Sequence, residues 1–173
     1  MRADAERNRA KVIKAAMTAF ATEGLSISVA EIGRRAGVGT GTVSRHFPTK
    51  ESLYAAIVLA KVTEIATEAR TLIETLPPAD AFFAYFAYMV EEAATNRGLA
   101  EAMSGGGYDI EKAVDGTEED LATLESTLLH NAQAAGAVRS GVTRDEVKAL
   151  IGACVAVPSR THMVEIVSAG LRP

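Results

Sequence analysis

Few side chains in this sequence are placed to do covalent or metal chemistry. Cys154 is the only thiol, so it makes no intramolecular disulfide and, without companions, no thiolate metal site. A small buried apolar role suits it. The imidazoles of His46, His130 and His162 fall in separate segments, with no partner at metal-binding spacing and no nucleophile elbow nearby. Gly105-Gly106-Gly107 lacks the following lysine and the preceding strand of a phosphate-binding loop. This pattern argues against an enzyme and implies neither cofactor nor metal. Hydrogen-bond donors, by contrast, are concentrated: Thr40, Thr42, Ser44, Arg45, His46 and Lys50 stand close together, with Gly39 and Gly41 among them. Donors of graded length, on a backbone free to approach closely, suit the phosphates and base edges of a nucleic acid.

Charge supports that direction. Residues 1–50 hold nine Lys/Arg against four Asp/Glu, a balance of +5, whereas residues 51–173 hold nine against eighteen, a balance of −9, giving −4 in all. A basic segment joined to an acidic body suits a chain that meets a polyanion with one half only. At 48% hydrophobic and 23% charged residues, the 173-residue chain has enough apolar surface to close a core, which excludes a disordered chain. The longest apolar runs, Ala81 to Val90 and Ala149 to Val157, are too short to cross a bilayer. The charged run Met1 to Arg7 has no apolar block behind it, so the expectation is no secretory signal, no membrane partner and a cytoplasmic location.

The elements that must position these donors read as helices throughout. Val12, Ile13, Ala16, Met17, Ala19 and Phe20 recur at three- and four-residue steps, followed by Gly24 as a stop. Ser28 and Glu31 fit a capping box for a short second helix ending near Gly37. Val43 and Phe47 before Pro48 describe a third helix of two turns, and Thr49 caps a long fourth that links the two halves. A helix from Ala79 to Asn96 is apolar over most of its circumference and should be central. Gly98 to Ser104 allows one short helix, and the triple glycine after it is a break. Thr117 opens a helix striped by Leu121, Leu124, Leu128, Ala132 and Ala135 and ending at Gly136. Thr143 and Glu146 form a second capping box for a helix to Val157, and Ser159 caps a last one to Ala169. The expected fold is all-α with about nine helices, divided into an N-terminal helix-turn-helix domain, 1–47, and a C-terminal helical domain, 48–173.

Arg9, Ile13, Ala15-Ala16, Ala19-Phe20, Gly24, Val29, Ile32, Ala36-Gly37-Val38, Gly41-Thr42, His46-Phe47, Lys50 and Leu53 together resemble the N-terminal signature of tetracycline-repressor (TetR) family regulators. The resemblance covers about the first 60 residues. It implies a homodimeric transcriptional repressor that binds a pseudopalindromic DNA operator and is released by a small-molecule effector. Carried over by position, it implies that Thr42, His46 and Lys50 hold phosphates and that Thr40 and Arg45 point toward base edges. Gly41 lets the backbone approach, and Ser28 adds an amide and hydroxyl contact to the DNA backbone. The position of Ser44 is usually tyrosine in the family, and serine is too short for the same phosphate, leaving a water bridge or weaker anchoring. His46 as a packing residue and Arg45 as a purely phosphate contact remain open.

In the acidic half, six of the nine Phe and Tyr residues lie between Phe82 and Tyr108. Phe82, Tyr85, Phe86, Met89, Met103 and Tyr108 are candidates to line a chamber for a lipophilic or aromatic effector. The same residues suit a plain aromatic core, and a constitutive DNA-binding protein without inducer is the alternative. Between Arg144 and Val157, large residues form one face, while Ala149, Gly152, Ala153 and Ala156 form a small one beside it. With Met163, Ile166 and Val167 of the last helix, that face is the candidate dimer interface, by resemblance to the family. Packing of both faces within one chain is the alternative.

Overall fold

A computed structural model describes residues 2–23, 27–96 and 118–173. Among them are eight helices and no strand: α1 (Arg2–Glu23), α2 (Val29–Ala36), α3 (Thr40–His46), α4 (Lys50–Thr75), α5 (Pro78–Thr95), α6 (Glu118–Ala134), α7 (Arg144–Val155) and α8 (Arg160–Leu171). The all-α expectation is met. The short helix expected at Gly98 to Ser104, the stop at Gly24, the triple glycine and the helix start at Thr117 lie outside the described residues, as do Met103 and Tyr108. No described helix is long and apolar enough to cross a membrane.

The helices pack as two units, dividing within α4 between Val62 and Thr63. In the first, α1 presents Val12, Ile13, Ala16, Ala19 and Phe20 to a core completed by Ile27, Ile32, Val38, Val43, Phe47 and the start of α4, where Leu53, Tyr54, Ala56 and Ile57 are buried. The rings of Phe20 and Tyr54 meet at 5.2 Å. Thr49 caps α4 reciprocally with Ser52: the Ser52 amide donates to Thr49 Oγ1 at 3.1 Å and the Thr49 amide to Ser52 Oγ at 3.3 Å. This start places Lys50 at the first position of the helix.

In the second unit α5 touches α6, α7 and α8. It buries Ala81, Phe82, Tyr85, Phe86 and Val90, while Phe83, Tyr88 and Met89 are half-buried, so the expected central helix is observed. Thr143 and Glu146 form the complete capping box at the start of α7. Ser159 occupies the cap position of α8 without a side-chain cap bond. Cys154 is fully buried, which pushes its thiol pKa up, as befits a packing residue.

Candidate nucleic-acid interface

Three residues set α2 and its turn into α3. Ser28 caps α2, its Oγ accepting from the Glu31 amide at 3.2 Å. Gly37 ends it at φ 65°, a left-handed conformation that favours glycine, and the Val38 amide reaches back to the Gly33 carbonyl at 2.9 Å. The third residue, Gly33, was not singled out by sequence. A Cβ there would stand 3.0 Å from Val43 Cγ2 and 3.1 Å from the Val38 carbonyl oxygen, so its missing methyl is what lets α3 cross α2 so closely.

Across this crossing α3 buries only Val43. Thr40, Gly41, Ser44 and Arg45 are exposed, Thr42 and His46 are half-buried, and Ser28 and Lys50 are exposed on the flanking segments. All eight candidate DNA residues therefore belong to one unit and have side chains or backbone at its surface. A Cβ added at Gly39 or Gly41 would meet nothing within 4 Å, so no contact in the described chain requires glycine at either place. The Phe47 amide closes the helix on the Val43 carbonyl at 2.8 Å, directing the chain into Pro48.

Charge around α2 is arranged differently from the capping box expected there. The Glu31 carboxylate is engaged by Arg34 at 2.7 and 2.8 Å and by Arg35 at 2.8 Å. Arg35 also pairs with Glu23, tying the end of α1 to α2. Hydrogen bonds from Arg34 and Arg35 pull the Glu31 pKa down to about 2, and those from Glu23 and Glu31 raise that of Arg35.

In the second unit the aromatic candidates are enclosed. Phe82, Tyr85 and Phe86 are buried and Met89 is half-buried. A cavity of ≈ 20 Å³, room for about one water, is bordered by Phe82, Tyr85, Leu128, Val147 and Ile151, with Glu125 at its edge. Glu125 accepts from the Tyr85 hydroxyl at 3.2 Å and faces Lys148 Nζ at 3.8 Å and Arg144 Nη1 at 3.9 Å. Burial, with the Glu125 charge beside it, pushes the Tyr85 pKa far above the ordinary phenol range. Sequence reasoning missed Glu125, although its place on the stripe of Leu121, Leu124 and Leu128 was a signal. A carboxylate on an apolar face needs partners. The small face of α7 is open: Ala149, Gly152, Ala153 and Ala156 are exposed, Ile166 on α8 is 52% exposed, and Met163 and Val167 are half-buried. Ala149 and Ala153 border a surface groove of ≈ 720 Å³ with Leu150, Val142 and Leu171.

Comparison with known proteins agrees with this geometry. Residues 12–57 match the family described as bacterial regulatory proteins, tetR family. Residues 77–173 match the C-terminal domain described as transcriptional regulator SbtR-like. The solved structure of a TetR transcription regulatory protein from Mycobacterium vanbaalenii is 42% identical, with 99% of each chain covered and a TM-score of 0.86. That of the TetR transcriptional regulator SCO0520 from Streptomyces coelicolor is 29% identical, covering 95% of this chain and 98% of the other, at 0.77. A gamma-butyrolactone receptor (ArpA-like protein), 23% identical over 98% of this chain and 90% of its own, shares the fold at 0.72. Among curated proteins none matches.

Proposed function

This chain belongs to the TetR family of bacterial transcriptional regulators, and we propose that it is a homodimeric repressor whose α3 enters the major groove of a pseudopalindromic operator. The observation that carries the reading is the surface of α3: one enclosed residue, Val43, and an outward face of donors whose neighbouring glycines serve no packing need. A helix-turn-helix uses its second helix in this way. Thr42, His46 and Lys50 anchor phosphates, Thr40 and Arg45 reach base edges, Ser28 adds a backbone contact, and Ser44 anchors weakly or through water. The exposed small face of α7 with Ile166 supplies the dimer contact, where a second backbone can come close.

The acidic unit, in this proposal, holds a small lipophilic or aromatic effector that prefers the conformation unable to bind DNA. Turning a 1:99 equilibrium into 99:1 needs ~5.5 kcal/mol of such preference. That a protein of this fold is a gamma-butyrolactone receptor supports a small-molecule role for the unit. The ≈ 20 Å³ cavity between Phe82, Tyr85 and Ile151 favours a second reading, a constitutive regulator in which those aromatics are core alone.

Operator fragments recovered by genomic pull-down provide the test. Lys50→Ala should weaken binding to every sequence alike, and Arg45→Ala should relax discrimination at one position per half-site by about 1–3 kcal/mol. Uniform loss with Arg45→Ala would move that residue to the phosphate class, and wild-type affinity in both variants would remove the end of α3 and the start of α4 from the interface. A compound library screened by thermal shift and then by operator release separates the two readings, since only an effector does both.

A further inference from the structure

The described Lys and Arg side chains up to Lys50 sort into two groups. Arg7 pairs with Asp4, Arg34 with Glu31, and Arg35 with Glu23 and Glu31. Arg9, Lys11, Lys14, Arg45 and Lys50 have no carboxylate partner among the described residues. Of this second group, Arg45 and Lys50 already have roles in the DNA reading, and Lys11 and Lys14 stand off the buried stripe of α1. Arg9 differs. It lies one turn before Val12 and Ile13, in line with that stripe, and its Cζ sits over the Phe47 ring, 5.6 Å from the centroid. Phe47 is the residue that ends α3, and its ring is 6.2 Å from that of His46. The exposed guanidinium of an α1 residue is thus brought to the end of the recognition helix, beside a candidate phosphate ligand.

A guanidinium held near an aromatic ring by cation–π attraction still has N–H donors to offer an anion, and those of Arg9 meet no carboxylate among the described residues. Holding the charge in place beforehand lowers the ordering cost when an anion arrives. We propose that Arg9 is a phosphate contact of the DNA complex, held in position by Phe47, so that α1 as well as α3 and α4 grips the duplex backbone. The proposal rests on the DNA reading above.

Its test measures binding of a fluorescently labelled duplex of mixed sequence across a series of sodium chloride concentrations. Each phosphate contact contributes about 0.9 to the slope of log K against log salt. Arg9→Ala should lower that slope by about 0.9 per bound protomer and weaken low-salt binding roughly tenfold, as for a lost charge-assisted hydrogen bond. Arg9→Lys should keep the slope but recover only part of the affinity. Lys14→Ala removes the same charge from another face and should change neither. Should Arg9→Ala melt early, Arg9→Gln gives the same measurement with side-chain length kept. In a Phe47→Leu background the Arg9→Ala effect on affinity should shrink; an undiminished effect overturns the role of Phe47. A wild-type slope in the Arg9 variants, or equal losses in Arg9→Ala and Lys14→Ala, overturns the proposal and leaves the DNA reading standing. If the wild-type protein shows no salt-dependent duplex binding, it is the DNA reading that fails.

Discussion

In the first unit the side chains assigned to DNA stand outside the core, whereas in the second the aromatic side chains assigned to an effector are largely the core itself. Val43 and Phe47 hold α3 in place while Thr40, Ser44 and Arg45 face outward. Phe82, Tyr85 and Phe86 have no such division of labour, since they pack α5 against its neighbours. The difference is physical. A polyanion is met at a surface, by charge and donors that folding leaves unburied, while a lipophilic ligand must be met by the same apolar groups that folding consumes.

The strongest way to break this comparison is to truncate one side chain in each unit. Phe86→Ala should lower stability by about 3–5 kcal/mol, the range for a fully enclosed phenylalanine, whereas Ser44→Ala should stay within about 0.5 kcal/mol. Chemical denaturation measures both. A Phe86→Ala protein of wild-type stability would mean that the aromatic cluster is looser than its burial implies, and would strengthen the case for a chamber there.

A smaller effect on folding, but a large one on assembly, is expected at α7. Ala153 is exposed in the protomer, so Ala153→Arg should leave helix content unchanged and, in sedimentation at micromolar concentration, convert the proposed dimer to monomer. A variant that stays dimeric puts the interface elsewhere and leaves the small face with no assigned use.

The smallest effect belongs to the ion pairs of α2. Glu31 is held near a pKa of about 2, below its usual 4.5, by Arg34 and Arg35. A depressed carboxylate contributes stability that is present above the unfolded pKa and fades as pH falls through the folded one. The melting temperature of Glu31→Gln should therefore lie slightly below wild type at neutral pH and converge with it as pH approaches about 2. Because these groups are exposed, solvent screens the interaction, and a large gap at neutral pH would show the network to be more structural than its exposure allows.

Local signals carried the sequence reading furthest. Ser28, Gly37, Thr49 and the Thr143–Glu146 box act on their own helices, so composition and spacing revealed them, and the burial of Val12, Ile13, Ala16, Ala19 and Phe20 follows from their period. Contacts between elements were not legible in the same way. Glu31 was expected to reach back to its cap, but two arginines on the next turn supply stronger, charge-assisted partners. Gly33 looked like any helical glycine until Val43 was seen against it. Tyr85 and Glu125 are 40 residues apart, and nothing in either segment specifies their hydrogen bond. Arg9 stood within the family resemblance, but its seat on Phe47 needs α1 and α3 together.

The close crossing at Gly33 has an evolutionary corollary. Because α3 is clamped by Val43 from within and by a missing methyl from beneath, its outer face can accept new side chains without disturbing what clamps it. On the proposed DNA role, a gene duplicate would acquire a different address on the chromosome through changes at positions 40, 44 and 45, which are exposed and so carry little penalty in folding. A methyl at position 33 would instead press on Val43 Cγ2 at 3.0 Å and on the Val38 carbonyl oxygen at 3.1 Å, so the seat of α3, not its outer face, is where a small change must be absorbed by a shift.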